Sequence, residues 1–434
     1  MNDNSNSYTK NYMISFDEAL KLISKNASAL DSETISLSEA NGRILSQDIT
    51  SPISVPTFDN SAMDGYAVNA EDLAGASAKT PIQLKLIGLT AAGDDISEVK
   101  KTKMTAWKIM TGAPVPEGYD AIIPVENTEL LDEGNNAQQV CCISSPTKGV
   151  HIRSSGEDFI KGDIILANNQ YINANKIMAL ASLGVDKIKV IKKPNIAVFS
   201  TGKELIDDLS VELNPGQIYN SNMPYILEYL KDLPVNAYNA GTNYDEVELY
   251  QKALQKELDK KTQIIISTGA VSMGDFDFIP QTIIKMGGEI IFHKSKIRPG
   301  KPVLFARFPN GTFYFGLPGN PISATIGLRF FVSHLIRLMI NMPAEKPLKA
   351  KLINDKQKKK GFTTILKSHA KIDTSATLTV EIMPGQESFK IHPLLDANGW
   401  VVLDESMESA NSNDLVDYYF STVDFDQKQS DYVH

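Results

Sequence analysis

Eight carboxylates in turn-rich stretches, Asp59, Asp64, Glu157, Asp158, Glu204, Asp245, Asp275 and Asp277, are the residues of this chain best suited to a hard cation. Mg²⁺ takes oxygen ligands and typically uses one or two carboxylates together with phosphates of the bound molecule. Complementary charge stands close by: Lys294, Lys296, Arg298 and Lys301 fall within eight residues, in a segment broken by Pro299, Gly300 and Pro302. The breaks suit a loop folded over phosphate oxygens, whereas cations on an unbroken element form a solvated face. Taken singly, each carboxylate is an ordinary surface charge or helix cap. Their company is what matters.

Loops able to hold such ligands occur where predicted strands stop. Ile196-Ala197-Val198-Phe199 ends in Ser200-Thr201-Gly202, with Glu204 just beyond. Ile264-Ile265-Ile266 ends in Ser267-Thr268-Gly269, with Asp275 and Asp277 following. Phe313-Tyr314-Phe315 ends in Gly316-Leu317-Pro318-Gly319-Asn320-Pro321. In an open parallel sheet, ligands bind beyond the carboxyl ends of the strands. Glycine permits close backbone approach, Asn320 is placed to cap the next helix, and Pro321 suits its first position, leaving N–H groups toward an anion. The residues point to a phosphorylated small molecule bound with Mg²⁺ and leave its identity open.

These loops need a frame. Ser15 to Lys25 predicts a capped amphipathic helix, with Glu18 three residues after Ser15. From about residue 51 to 147, short strands (Ile82 to Ile87, Thr105 to Met110, Ala121 to Pro124, Val140 to Ile143) alternate with glycine and proline turns, predicting a small β domain. Asn173 to Leu183 predicts a helix. Strand-like runs then alternate with helices over Pro224 to Leu233, Asp245 to Leu258, Pro280 to Met286 and Pro321 to Ile340. That pattern implies an α/β multidomain protein with a central, doubly wound parallel sheet. Lys346 to Gly361 reads as a lysine-rich linker, and Thr363 to Leu366, Ala376 to Ile382 and Gly399 to Leu403 as a second small β domain. The expected division is a disordered tail over 1–12, an N-terminal region of two subdomains over 13–190, an α/β domain over 191–340 and a C-terminal β domain over 341–425.

Composition narrows the function. With 434 residues, 42% hydrophobic and 22% charged, the chain has the make-up of a soluble globular protein. A net charge of -9 argues against nucleic acid or an anionic membrane as the main partner. Cys141 and Cys142 are adjacent, which gives neither a disulfide framework nor zinc-ligand spacing. Met1 to Asn11 lacks the apolar core of a signal peptide, and Arg329, His334 and Arg337 interrupt the most apolar helix, so a cytoplasmic protein is expected. There is no Walker loop, G-x-G-x-x-G, H-E-x-x-H or G-x-S-x-G motif.

Longer motifs are more specific. Phe58-Asp59-Asn60-Ser61-Ala62-Met63-Asp64-Gly65-Tyr66-Ala67-Val68 is followed by Met110-Thr111-Gly112-Ala113-Pro114-Val115-Pro116-Glu117-Gly118, then Gly156-Glu157-Asp158, Ser200 to Leu205, Gly216 to Asn222 and Gly316 to Pro321. In this order, over about residues 13 to 425, they resemble the molybdopterin molybdenumtransferase family (MoeA, and the E domain of gephyrin).

The resemblance implies molybdate insertion into adenylylated molybdopterin with Mg²⁺, hydrolysis of the adenylate and release of molybdenum cofactor and AMP. It implies an elongated homodimer of four-subdomain chains, a cleft between subunits, and a molybdopterin adenylyltransferase as upstream partner. The third subdomain would share the adenylyltransferase fold and bind the molybdopterin. The family's acidic positions fall on Asp64, Asp158, Glu204, Asp245 and Asp277, with Glu204, Asp245 and Asp277 expected at the metal. Its threonine falls on Thr111, its basic pair on Lys294 and Arg298, and its prolines on Pro318 and Pro321. Ser200, Thr201, Gly202, Ser267, Gly269, Lys301 and Gly319 complete the expected pterin-phosphate site. Two departures stand out: Gly269-Ala270 where the family has two glycines, and Arg298 where it has lysine. Competing expectations are an adenylyltransferase or nucleotide hydrolase on the same fold, and a gephyrin-like scaffold.

Overall fold

Ile264, Ile265 and Ile266 are all fully enclosed. Their strand, Ile264–Thr268, lies inside a six-stranded sheet covered on both faces. The computed structural model describes residues 13–95, 102–132, 138–243, 246–269 and 278–422. The sheet runs in the order Asn236–Asn243, Asn195–Thr201, Ile264–Thr268, Phe313–Leu317, Leu304–Arg307, Glu289–His293. Ile264 and Ile266 face the helices Asn222–Lys231 and Pro321–Met339, together with the N-terminal helix Phe16–Asn26. Ile265, Ala197, Phe199 and Tyr314 face the helices Val247–Asp259 and Ile279–Lys285 on the other side. Each buried Ile or Phe contributes about 1.5–3 kcal/mol, so this double-sided packing is a large share of what holds the sheet together.

The doubly wound arrangement agrees with expectation, but the sheet is mixed. The four strands Asn236–Asn243 through Phe313–Leu317 are mutually parallel, while Leu304–Arg307 and Glu289–His293 add antiparallel. Leu304–Arg307 joins the Phe313 strand by a short turn, which antiparallel neighbours allow, whereas Glu289–His293 reaches Leu304 through the longer segment 294–303. The helix at Pro321 is continuous to Met339 through a π-helical turn at Leu328–Val332. It is long and apolar enough to cross a membrane, yet 89% of its most apolar window is buried among the elements around it.

At the N-terminal end, Ser15 accepts a hydrogen bond from the Glu18 amide at 3.1 Å, as its capping position requires. A separate six-stranded sheet spans Gly65–Val68, Ile82–Thr90, Thr105–Ile109, Ala121–Pro124, Thr128–Asp132 and Gln138–Cys142. Its core, around Tyr66, Leu84, Ala106, Ile123, Val140 and Cys142, is its own. Chain enters and leaves it through the paired strands Ile49–Thr50 and Ile164–Leu166 and a bridge between Val55 and Phe159. Cys141 and Cys142 are both free, and burial pushes the Cys142 thiol up to about 11, so it is unreactive.

The Lys346 to Gly361 segment is not a linker. Leu348–Leu352 is a strand with Ala350 and Leu352 buried, Lys349 and Lys351 facing out, and Lys356–Gln357 is a second short strand. The lysines obscured a period of two. In the C-terminal sheet, Thr363–Ile372, Leu378–Ile382, Leu348–Leu352, Leu415–Phe420 and Gly399–Leu403 pair in sequence, and the last returns to the first. The result is a closed five-stranded ring. The predicted tail over residues 1–12 lies outside the described residues.

Candidate active site

The ends of three parallel strands meet. Thr201 donates its hydroxyl to the Thr268 carbonyl at 3.0 Å, and the Gly269 amide donates to the Leu317 carbonyl at 3.1 Å. Gly269 has φ +93°, and a methyl group there would lie 2.2 Å from the Thr201 carbonyl oxygen. Only glycine fits that junction. A methyl at Gly319 would reach the Gly269 Cα at 3.7 Å, so the third loop closes against the second. Asn222, at the start of its helix, donates to the Gly319 carbonyl at 2.9 Å. Asn220 donates to Asp207 at 2.8 Å and its backbone amide bonds the Ile206 carbonyl at 2.9 Å. Neither asparagine stood among the expected site residues, although both lie in the Gly216 to Asn222 motif, which was the available signal.

Glu204 projects beside this junction. A methyl at Gly202 would lie 2.7 Å from its Oε1, so the carboxylate folds back over the strand end, exposed and without an ion pair or side-chain hydrogen bond among the described residues. Ser200, Thr201 and Ser267 are almost wholly enclosed, and Ser267 lies on the same sheet face as Ile265, against Tyr250 of the covering helix. They shape the strand ends more than they line a surface. Pro318 is buried, Gly319 exposed and Pro321 half-buried.

Asn320 stands at the N-cap but makes no side-chain capping bond, contrary to expectation. The first available helix amide, that of Ile322, is also taken: it donates to the Ser388 carbonyl at 3.1 Å. Proline at the first position has no N–H, so a loop from the C-terminal domain satisfies a donor that sequence left open to an anion.

The basic segment reaches the same corner. A methyl at Gly300 would lie 3.4 Å from the Ser323 carbonyl oxygen, in the first turn of the Pro321 helix. The segment is not wholly a loop: Ile297–Arg298 is a short strand added parallel to Thr363–Thr364 of the C-terminal sheet. The Lys296 amide donates to the Ile14 carbonyl at 2.7 Å and its carbonyl accepts from Thr363 at 2.8 Å. Arg298 thereby lines a cleft of about 700 Å³ with Pro299, Lys356, Lys358, Lys359 and the Met383 to Phe389 loop. Arg298 and Lys356 have no ion pair or side-chain hydrogen bond among the described residues, whereas Lys358 donates to the Met407 carbonyl at 2.6 Å. Burial holds the Lys358 ammonium below its ordinary pKa. Glu387, the carboxylate among the lining residues, is paired with Lys390 at 2.8 Å. Lys294, with φ +97°, and Lys301 flank this segment.

The N-terminal β domain carries a second group. Thr111 donates its amide at 2.7 Å and its hydroxyl at 2.9 Å to Asp64 Oδ1. These bonds, the amide first, hold the Asp64 carboxyl below its ordinary range. Asp59 accepts from the Ser155 amide at 2.8 Å and Glu157 from the Ser154 amide at 3.0 Å, so both serve their own loops. Asp158 is exposed, its amide tied to the Val55 carbonyl at 2.9 Å. Among the described residues, these bonds all stay within the β domain and its stalk. Asp245, Asp275, Asp277 and Ala270 lie outside the described residues.

Known proteins share this arrangement. Residues 14–184 match the family described as MoeA N-terminal region (domain I and II), and residues 197–338 match the one described as probable molybdopterin binding domain. A molybdopterin molybdenumtransferase of Synechococcus elongatus is 32% identical over 395 residues, covering 90% of this chain and 95% of that protein. One from Staphylococcus aureus is 33% identical over 410 residues, covering 94% and 95%. The crystal structure of the molybdopterin biosynthesis MoeA protein from Pyrococcus horikoshii OT3 superposes with a TM-score of 0.77 at 26% identity, covering 94% of this chain and 100% of that one. The chain belongs to the MoeA family of molybdopterin molybdenumtransferases.

Proposed function

We propose that this protein inserts molybdenum into molybdopterin presented as its adenylate, with hydrolysis of the phosphoanhydride and release of AMP. One observation carries the reading: closely packed glycine loops beside the exposed Glu204 carboxylate share a corner of the molecule with a cleft whose cations Arg298 and Lys356 have no ion pair among the described residues. The exposed Gly319 turn leaves room for a phosphate oxygen beside Glu204. The cleft suits an oxyanion, whether molybdate or the phosphate of the ligand, neither of which has a use for carboxylates.

Mg²⁺ fits the donor chemistry here, since one exposed carboxylate plus ligand phosphates is its usual environment. Glu204 would hold it, with Asp245 and Asp277 as the further candidates. Held by these carboxylates, Mg²⁺ would supply charge neutralisation that lowers the barrier to water attack on the phosphoanhydride. Lys294, Arg298 and Lys301 offset the charge of the pterin phosphate. Asp64, fixed by Thr111, and Asp158 belong to a domain with its own core, and we take them to serve the cleft of a second copy in a homodimer. A cytoplasmic setting with an adenylyltransferase upstream completes the reading.

Incubation with adenylylated molybdopterin, Mg²⁺ and molybdate should release AMP in step with molybdenum incorporation. Should the protein instead adenylylate molybdopterin from ATP, the adenylyltransferase reading replaces this one.

A further inference from the structure

We propose that Phe389 is a stacking platform for the planar heteroaromatic ring of a phosphorylated ligand whose anionic groups rest on Arg298 and Lys356. The inference deepens the reading above and rests on it for the anion-binding side of the cleft. Phe389 is 64% exposed and lines the cleft beside these cations. One exposed apolar residue needs no special account. What distinguishes this one is the rigidity of the backbone that presents it.

The preceding carbonyl, Ser388, is held by the Ile322 amide at 3.1 Å. The following one, Lys390, is held by the Lys367 ammonium at 2.9 Å. Lys367 is fully enclosed and also donates to the carbonyls of Gly385 at 2.7 Å and Glu387 at 3.3 Å. Gln386 completes the clamp, accepting from the Lys367 amide at 3.0 Å and donating to the carbonyls of Lys367 at 2.8 Å and Met383 at 2.7 Å. A segment so pinned cannot collapse to bury its phenyl ring. It holds a flat apolar surface open at the mouth of a cationic cleft, with the ordering cost already met. Molybdate and phosphate alone make no use of such a surface, whereas a ring does, and stacking of this kind tolerates different heterocycles.

The test compares wild type, Phe389→Ala and Phe389→Trp in calorimetric titrations with AMP, neopterin monophosphate, ribose 5-phosphate and molybdate. Phe389→Ala should lose roughly tenfold or more in affinity for at least one ring-bearing ligand. Its affinity for ribose 5-phosphate and molybdate should stay at the wild-type level. Phe389→Trp should retain ring binding, with its fluorescence quenched by the ligand. The proposal is overturned if neither ring-bearing ligand loses affinity, or if ribose 5-phosphate weakens equally. It is also overturned if sedimentation shows that Phe389→Ala changes the oligomeric state, which would make the ring a contact between copies. A wild type that binds molybdate no better than Arg298→Ala would sink the oxyanion reading alone, because the ratio of AMP to ribose 5-phosphate affinity still decides the ring.

Discussion

Thr111 places its backbone amide and its hydroxyl on the same oxygen of Asp64, 47 residues away in sequence, and the other oxygen has no partner among the described residues. Two donors on one carboxylate favour its charged form, so Asp64 stays ionised to lower pH than a free aspartate. Thr111→Val removes the hydroxyl donor and keeps the amide. The acid limb of the AMP-release profile should then move to higher pH, with activity at neutral pH reduced by about tenfold. A limb that stays in place would show that Asp64 is not the titrating group.

Glycines at the strand ends should respond very differently to one methyl. Gly269→Ala meets the Thr201 carbonyl at 2.2 Å on a φ of +93°, and should destabilise the fold by about 3 kcal/mol or more. Gly319→Ala, with nothing closer than 3.7 Å, should cost under about 1 kcal/mol. Urea unfolding separates the two.

Arg329 sits in the π-helical turn, 2% exposed, with both terminal guanidinium nitrogens on Glu345 at 2.7 Å and its Nε on the Phe420 carbonyl at 2.9 Å. Glu345→Ala strands a buried charge and should cost about 3–5 kcal/mol. The double variant Arg329→Met, Glu345→Leu should recover most of that loss, measured by chemical denaturation.

His334 fixes the first helix to the last one, its Nε2 2.8 Å from the Ser24 hydroxyl. Burial, opposed by a hydrogen bond at Leu20 and aided by Arg337, lowers its pKa from the ordinary 6.5. The neutral ring is therefore the folded form. Its contribution is present above pH 6.5 and is lost as pH falls through the lower folded value. His334→Gln should flatten the wild-type decline in thermal midpoint over that window; an identical decline would dismiss the ring as its source.

What could be read in advance followed burial. Ile196 to Phe199, Ile264 to Ile266 and Phe313 to Phe315 are covered on both faces and therefore apolar without interruption. The strand Asn236–Asn243 was missed because it is an edge strand, with neighbours on one side and asparagines along its length. Leu348–Leu352 was hidden by the lysines on its outer face. At the site, glycine loops and clustered charge were legible because they depart from ordinary composition. The Asn222 to Gly319 bond, and the arrival of Ser388 at the Pro321 helix, depend on pairings across 97 and 66 residues that no local pattern encodes.

The N-terminal β domain leaves and rejoins the rest of the chain through two strands lying side by side. Such a connection lets a module be inserted into a host without either core being rebuilt. Excising residues 56 to 158 and bridging the gap with a short turn should leave the remainder able to fold, while the excised piece, its ends adjacent, should tolerate circular permutation at that seam.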